Sequence, residues 1–526
     1  MNNSAVSLQR PLPAPHFLGR KVELARLLAT LQPGLVTAIS GPSGVGKHTL
    51  VTEALWTLAP GDIPPTAFPD GIMFHSFYNQ PRVDIALEQI VRSFGEEPAP
   101  TPFEAAQRIL VARQALLVLD GAERADDLRG ILGVRGGCGV LVTGRNGPPE
   151  PDARLHLDPL PLAEAVALLQ AWGELFAREE QAAQRLCELV GRLPLAIRLA
   201  GQYLAVQAEP AADYLSWLEG TALPNSSLAQ RQSESVALIL ERSLARLDDN
   251  AQDTLAIVGL LAQYSFDAEA VVAALMPELH NGVLSAIRRM FGQVPLEKSS
   301  DIMLGLEALV KFGLLRQFED KYEVSHPLIH AFARRKLTAP AKTIRRLATH
   351  YVGLTWEQGQ LGPEGLVVLE AHRPHFMRVL AECIEWEEWS AAHGLAVAVE
   401  DYLDSQGCLT ERIKANEIGL IAAWKLDRPT HAAWMGNIGD TYRTLGQAEV
   451  AIEFFREALA SARRVGDWRS EGNWLGNLGL AYRDLGDIAQ ARQYLKESQA
   501  IFEEIQSPRA ALVQDWLAEL EASEDQ

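Results

Sequence analysis

The period of the apolar positions divides the chain. Its first part alternates short apolar runs with amphipathic stretches, and the remainder is amphipathic with helical spacing almost throughout. The runs at 35–40, 72–77, 116–119, 140–143 and 155–157 are too short for helices and read as buried strands. Helical patterns fall at 22–31, 50–58, 83–94 and 103–112. Strand alternating with helix predicts a mostly parallel sheet covered on both faces. From 162 to 203 the spacing is helical, and it is helical again over 236–275, 286–290 and 304–312. The stretch 225–235 is polar, rich in Ser and Gln, and reads as a linker. Two short strands at 314–318 and 322–325, joined by Glu319-Asp320-Lys321, predict a β-hairpin, and helices ending in such a hairpin describe a winged helix.

The last third repeats. Trp434 and Trp474 are 40 positions apart, as are Gly446 and Gly486. Gly439, Tyr442, Ala451, Phe455 and Ala458 correspond to Gly479, Tyr482, Ala491, Leu495 and Ser498. Small and large residues at these offsets mark a helix-turn-helix repeat, whose units bury a face only by stacking on one another. Gly407, 39 positions before Gly446, marks a degenerate earlier copy, and a helix over 509–522 closes the array.

Between the first strand and its helix stands Gly41-Pro42-Ser43-Gly44-Val45-Gly46-Lys47-His48-Thr49. Glycines let the backbone close round an anion, so that amides and the helix dipole point at phosphate. Lys47 adds a mobile charge for the β- and γ-phosphates. Strand, spacing and helix agree, which makes nucleotide binding the leading reading. The motif expects Ser or Thr directly after the lysine as a Mg²⁺ ligand, and His48 stands there, with Thr49 following. Imidazole suits zinc better than Mg²⁺, which prefers oxygen. The expectation is a weakened Mg²⁺ site and slow or absent ATP hydrolysis.

Other candidates fall on strand and helix ends. Asp120 ends an apolar strand, where a carboxylate can face Mg²⁺ and its waters. Gly121 follows it, so Glu123 is the nearest acidic residue for positioning water. Arg145 lies just past the next strand, where a guanidinium can sense a γ-phosphate. Pro194, in Gly191-Arg192-Leu193-Pro194-Leu195-Ala196, opens a helix after a turn. His326 and His330 are spaced as a metal pair on a helix, but no third ligand lies nearby in sequence.

At 526 residues the chain has room for roughly three or four domains. Its formal charge of −19 disfavours nucleic acid and anionic membranes as partners. The helix at 304–312 carries only Glu307 and Lys311 as charged members, a poor reading head for DNA. Cys138, Cys187, Cys383 and Cys408 show no metal or disulfide spacing, which suits the cytoplasm. No apolar run reaches the length of about 18 residues needed to span a membrane. Residues 1–15 read as a flexible leader.

Taken together, from Phe17 to the C-terminus, these pieces resemble the NB-ARC branch of the STAND signalling ATPases, of the bacterial type that carries tetratricopeptide repeats. The resemblance implies a leader at 1–15 and an α/β P-loop NTPase domain with a parallel sheet at 16–160. A small helical domain and linker at 161–235, a winged helix at 236–338 and an α-solenoid of tetratricopeptide repeats at 339–526 would follow. It puts Phe17, Gly19 and Arg20 near the adenine, and Gly41, Ser43, Gly44, Val45, Gly46, Lys47, His48 and Thr49 round the phosphates. Lys47, Asp120 and Arg145 take the catalytic positions, with Asp120 facing the metal. Pro194 packs by the adenine, and His326 holds ADP in the closed state. The function implied is a switch closed with ADP and opened by ATP exchange when the repeats sense a protein or small molecule. Its output would pass to an effector in trans, with homo-oligomerisation on activation. The alternatives are a repeat scaffold with a structural nucleotide and a winged-helix transcriptional regulator.

Overall fold

The computed structural model describes residues 8–146, 148, 150–172, 179–221, 223–275, 296–340, 342–428 and 430–524. The helix expected at 286–290 lies outside the described residues. The chain forms two compact units, one of Met1–Gly95 with Ala106–Thr343, the other of Glu96–Ala105 with Ile344–Gln526.

The first unit is built on a parallel sheet of β1 (Val36–Ser40), β2 (Ile72–Ser76), β3 (Leu116–Asp120), β4 (Gly139–Gly144) and β5 (Ala153–His156). The spatial order is β2-β3-β4-β1-β5. Every position of β1, β3 and β4 is buried, which is why these strands read as unbroken apolar runs instead of alternating ones. β4 lies between β1 and β3, so the loop after β1 and the carboxyl end of β3 open at the same end of the sheet. The segment expected as a flexible leader is tied down from Leu8 on. Leu8 bridges to Ile72 at the edge strand, and the Gln9 amide donates to the Ile72 carbonyl at 2.9 Å. Trp56 donates its ring N–H to the Pro11 carbonyl at 2.8 Å, and the Arg10 guanidinium lies 4.2 Å above the Trp56 ring.

Helices Leu162–Trp172, Glu180–Leu189, Pro194–Gln207 and Ala211–Glu219 follow the sheet. The stretch expected as a linker is instead the start of helix Leu228–Leu244. Ser227 and Gln230 form a capping box: the Gln230 amide donates to Ser227 Oγ, and the Ser227 amide donates to Gln230 Oε1. The Ser/Gln composition is therefore a helix start, with the buried face beginning at Val236, Ile239 and Leu240. Helices Asp249–Val258, Ala268–Leu275 and Leu296–Lys311 accompany a small antiparallel sheet. It is made of β6 (Phe266–Asp267), β7 (Leu315–Phe318) and β8 (Lys321–Val324), in the order β6-β8-β7. The hairpin was expected; β6, two residues long, was not, and it is held by Phe266 stacking on Tyr322. Helix Pro327–Lys336 leaves the sheet with His326 as its N-cap.

The second unit is helical. Helices Trp389–Ser405, Leu409–Lys425, His431–Thr444, Ala448–Val465, Trp468–Asp484, Ile488–Glu504 and Arg509–Glu524 pair in sequence order. Gly407, Gly446 and Gly486 share a left-handed backbone, φ 57°, 71° and 80°, each at a helix turn. That common geometry joins the degenerate copy to the two clear ones. A Cβ at Gly439 would lie 2.8 Å from Phe455, and one at Gly479 would lie 2.6 Å from Leu495. The repeated glycine is thus the place where paired helices touch. No helix among the described residues is long and apolar enough to cross a membrane.

Candidate functional site

The loop after β1 turns on glycines that no other residue replaces easily. Gly41, Gly44 and Gly46 have φ of 146°, 80° and 97°. A Cβ at Gly41 would meet the Leu157 carbonyl at 2.6 Å, and one at Gly44 would press on Leu195 at 3.1 Å. Helix Lys47–Leu58 starts directly from this loop, so its first amides have no intrahelical acceptor and favour an anion. Lys47 Nζ donates to the carbonyls of Gly41 and Pro42 at 2.8 and 3.0 Å. Burial lowers its pKa, against the opposing pull of Glu123 and Asp120. Arg20 braces the loop from outside: it is buried, and it donates to the carbonyls of Val45 and Asp158. Phe17 is half-buried and Gly19, at φ 73°, faces Glu164.

Asp120 is buried at the end of β3, and both of its oxygens accept hydrogen bonds. Thr143, on β4, donates to Oδ1 at 2.5 Å, and His48 Nδ1 lies 3.2 Å from Oδ2. Burial works against charge on both partners. The Asp120 charge and hydrogen bond nonetheless raise the His48 pKa, and His48, Thr143 and Lys47 together lower that of Asp120. The His48 side chain is 45% exposed and meets Phe74 edge-on. Each partner therefore favours the charged form of the other.

Gly121 stands where an acidic residue was looked for. A Cβ there would run into the Tyr78 ring at 2.5 Å, and its φ is 73°. The Tyr78 hydroxyl donates to Glu123 at 2.8 Å, and Arg145 approaches the same carboxylate at 3.8 Å. Glu123, Arg145, Asp120 and Lys47 thus belong to one electrostatic group.

Two more elements reach this group. Helix Pro194–Gln207 touches the glycine loop itself: the Leu195 amide donates to the Gly44 carbonyl at 3.2 Å, and Pro194 lies nearest the Cβ position of Gly46. Pro194 is therefore packed on the loop. The hairpin brings His326, whose Nδ1 accepts from the Leu328 amide at 3.1 Å, leaving Nε2 to carry the hydrogen. Burial pushes its pKa down to about 3, reinforced by Arg198, His48, Lys47 and Arg316. His330, by contrast, bonds the Leu261 carbonyl at 2.9 Å and Gln263 at 3.3 Å, a core role. Among the described residues no acidic, His and Cys cluster is built to hold a metal.

Sequence reasoning missed Thr143, Tyr78, Arg198 and Ser325. Arg198 had a signal: it is the one charged residue in helix Pro194–Gln207, four positions after Pro194. Thr143 had a weaker one, ending the strand beside the strand of Asp120.

Residues 430–504 match the tetratricopeptide repeat family. Among curated proteins none matches the chain. Among solved structures, a signal transduction ATPase with numerous domains (STAND) with a tetratricopeptide repeat sensor from Pyrococcus horikoshii is similar at 15% identity and a TM-score of 0.40. It covers 97% of this chain and 87% of its own. The Walker-type ATPase of Pyrococcus abyssi is similar at 12% identity and a TM-score of 0.27, over 63% of this chain and 99% of its own. The ORC2 protein of Aeropyrum pernix, in its ADPNP–ADP complexes, is similar at 14% identity and a TM-score of 0.27, over 62% of this chain and 96% of its own.

Proposed function

We propose that this chain is a nucleotide-dependent switch of the STAND class, closed with ADP and opened when a protein or small molecule engages its repeats. The observation that carries the reading is the convergence of three elements on one phosphate loop. Lys47 and the helix amides come from the loop, Pro194 from the helix packed on it, and His326 from the winged-helix hairpin. A diphosphate held there touches both the sheet and the hairpin, so its exchange can alter how the two associate. The amides and Lys47 would hold the phosphates, with Arg145 and His326 reading the terminal one. The tetratricopeptide repeats at 430–504 offer the surface for the signal, and the effector acts in trans.

The residues present do not suit Mg²⁺. Both oxygens of Asp120 are engaged, and His48 occupies the position of the usual hydroxyl. A second reading, a scaffold with a permanent nucleotide, draws support from that pair. The test is to identify the nucleotide that copurifies and to measure ADP and ATP affinity by calorimetry, with Mg²⁺ and with chelator. We expect tight ADP binding that varies little with Mg²⁺ and is lost in Lys47→Ala. His48→Thr should introduce a Mg²⁺ dependence for ATP. Equal ADP affinity in Lys47→Ala would refute the site. A copurified nucleotide that never exchanges, with ADP- and ATP-treated protein giving the same scattering profile, would favour the scaffold.

A further inference from the structure

Arg198 and the hairpin raise a question that the phosphate loop alone does not answer. Arg198 lies three positions after Leu195 and four after Pro194, on the helix face that packs against Gly44 and Gly46. Its guanidinium donates to Ser325 Oγ at 2.8 Å, and Ser325 immediately precedes His326. Ser325 passes its own proton to the Gly313 carbonyl at 2.6 Å, so the hydroxyl is fixed. Arg316, on β7, reaches the Ser325 carbonyl at 3.5 Å. Among the described residues no carboxylate lies within ion-pair distance of Arg198 or Arg316. Burial, with Arg316 beside it, pushes the Arg198 pKa down to about 9, and burial lowers that of Arg316 as well. His326 feels the charge of Arg198, His48, Lys47 and Arg316 together. Asp120 answers His48, Glu123 and Asp120 act on Lys47, and Glu323 acts on Arg316. Among the described residues no acidic group acts on Arg198. A desolvated cation without a carboxylate is costly unless an anion joins it. Glu323 lies opposite Arg316 on the hairpin, and burial raises its pKa against the pull of Arg316 and His48.

We infer that Arg198 is a second phosphate-binding cation, facing Lys47 across the phosphate chain of a nucleoside di- or triphosphate and joining that chain to the hairpin through Ser325 and His326. The inference rests on the nucleotide reading above and adds to it a residue that reads phosphate number. A guanidinium can grip phosphate with two parallel N–H bonds from one edge and keep its bond to Ser325 with the other, a planar fork that an ammonium lacks. Nucleotide then acts as the tie between the helix that packs on the loop and the hairpin.

The test is calorimetry on the full chain with AMP, ADP and ATP, comparing wild type with Arg198→Gln and Arg198→Lys. Arg198→Gln should weaken ADP and ATP binding about ten- to a hundred-fold and leave AMP within about twofold, since a lost charge-assisted bond has that size. Arg198→Lys keeps a cation in place and should retain part of the ADP affinity. Wild-type ADP affinity in Arg198→Gln, alongside loss of binding in Lys47→Ala, would overturn the inference and leave the nucleotide reading intact. Equal weakening of AMP, ADP and ATP would also overturn it, because that is the result of loosened packing. No binding of ADP or ATP by the wild type would defeat both. Should Arg198→Gln fail to fold, the lysine variant decides: an ADP-to-AMP affinity ratio unchanged from wild type rules the role out.

Discussion

Two arginines, Arg412 buried in one unit and Arg198 half-buried in the other, are treated in opposite ways. Arg412, in the helical array, is 5% exposed and ringed by Glu400 at 2.9 Å, Asp404 at 2.7 Å and Asp440 at 3.4 Å. Arg198 has a serine hydroxyl and no carboxylate among the described residues. Arg373 follows the pattern of Arg412: although burial opposes its charge, Glu411 and Glu370 drive its pKa well above the ordinary value. A cation whose charge the fold itself balances is structural, and the array needs no visitor to complete it. A cation left unbalanced while dehydrated has been kept for an anion from outside.

This contrast can be broken by substitution. Arg412→Met strands three carboxylates in one place and should cost about 3–5 kcal/mol of stability, read by thermal or denaturant unfolding. A loss below about 1 kcal/mol would show that the ring of carboxylates is solvated and the contrast unsound. His326→Ala should weaken ADP binding by about 1.5–3 kcal/mol, the size of one charge-assisted bond. Unaltered ADP release would remove His326 from the site.

A pH titration sharpens the same point. The folded pKa of His326, about 3, lies below its ordinary value of 6.5, so the unfolded chain binds the extra proton between them. Stability of the ligand-free protein therefore falls as pH drops through that window, by up to about 1.4 kcal/mol per unit. His326→Gln should remove this component, and matching pH slopes in the two proteins would contradict it. The smallest effect is expected from Arg198→Met without nucleotide. It leaves no carboxylate behind, so stability should change by less than about 1 kcal/mol or rise. A large loss would mean that Arg198 is as structural as Arg412.

How much of this was legible varies with the kind of contact. Buried parallel strands announce themselves as apolar runs, so β1 to β4 and the ends that carry Asp120 and Arg145 could be read directly. β5, with alternate positions exposed, begins at Ala153, two residues before the run expected at 155–157. The glycine loop and the helix start after it are local and were equally plain. Contacts between elements distant in sequence were not: Thr143 on Asp120, Tyr78 over Gly121 and Arg198 on Ser325 depend on packing that no short pattern encodes. The bond from Leu8 to the sheet edge was hidden by the prolines that follow it. Composition misled at 225–235, where Ser-x-x-Gln opens a helix instead of a loose connection.

That helix has a mechanical consequence. Its 17 residues make a rod about 25 Å long. At its middle, Ser235 Oγ donates to the Val190 carbonyl at 3.3 Å. Near its end, Arg242 lies 4.2 Å above the Trp217 ring, and Lys336, at the close of the helix after the hairpin, pairs with Glu241 at 2.6 Å. A chain of slack residues would absorb small displacements between those two places. One continuous helix between them couples the two places, so a displacement at the Lys336–Glu241 pair bears on the contact with Val190.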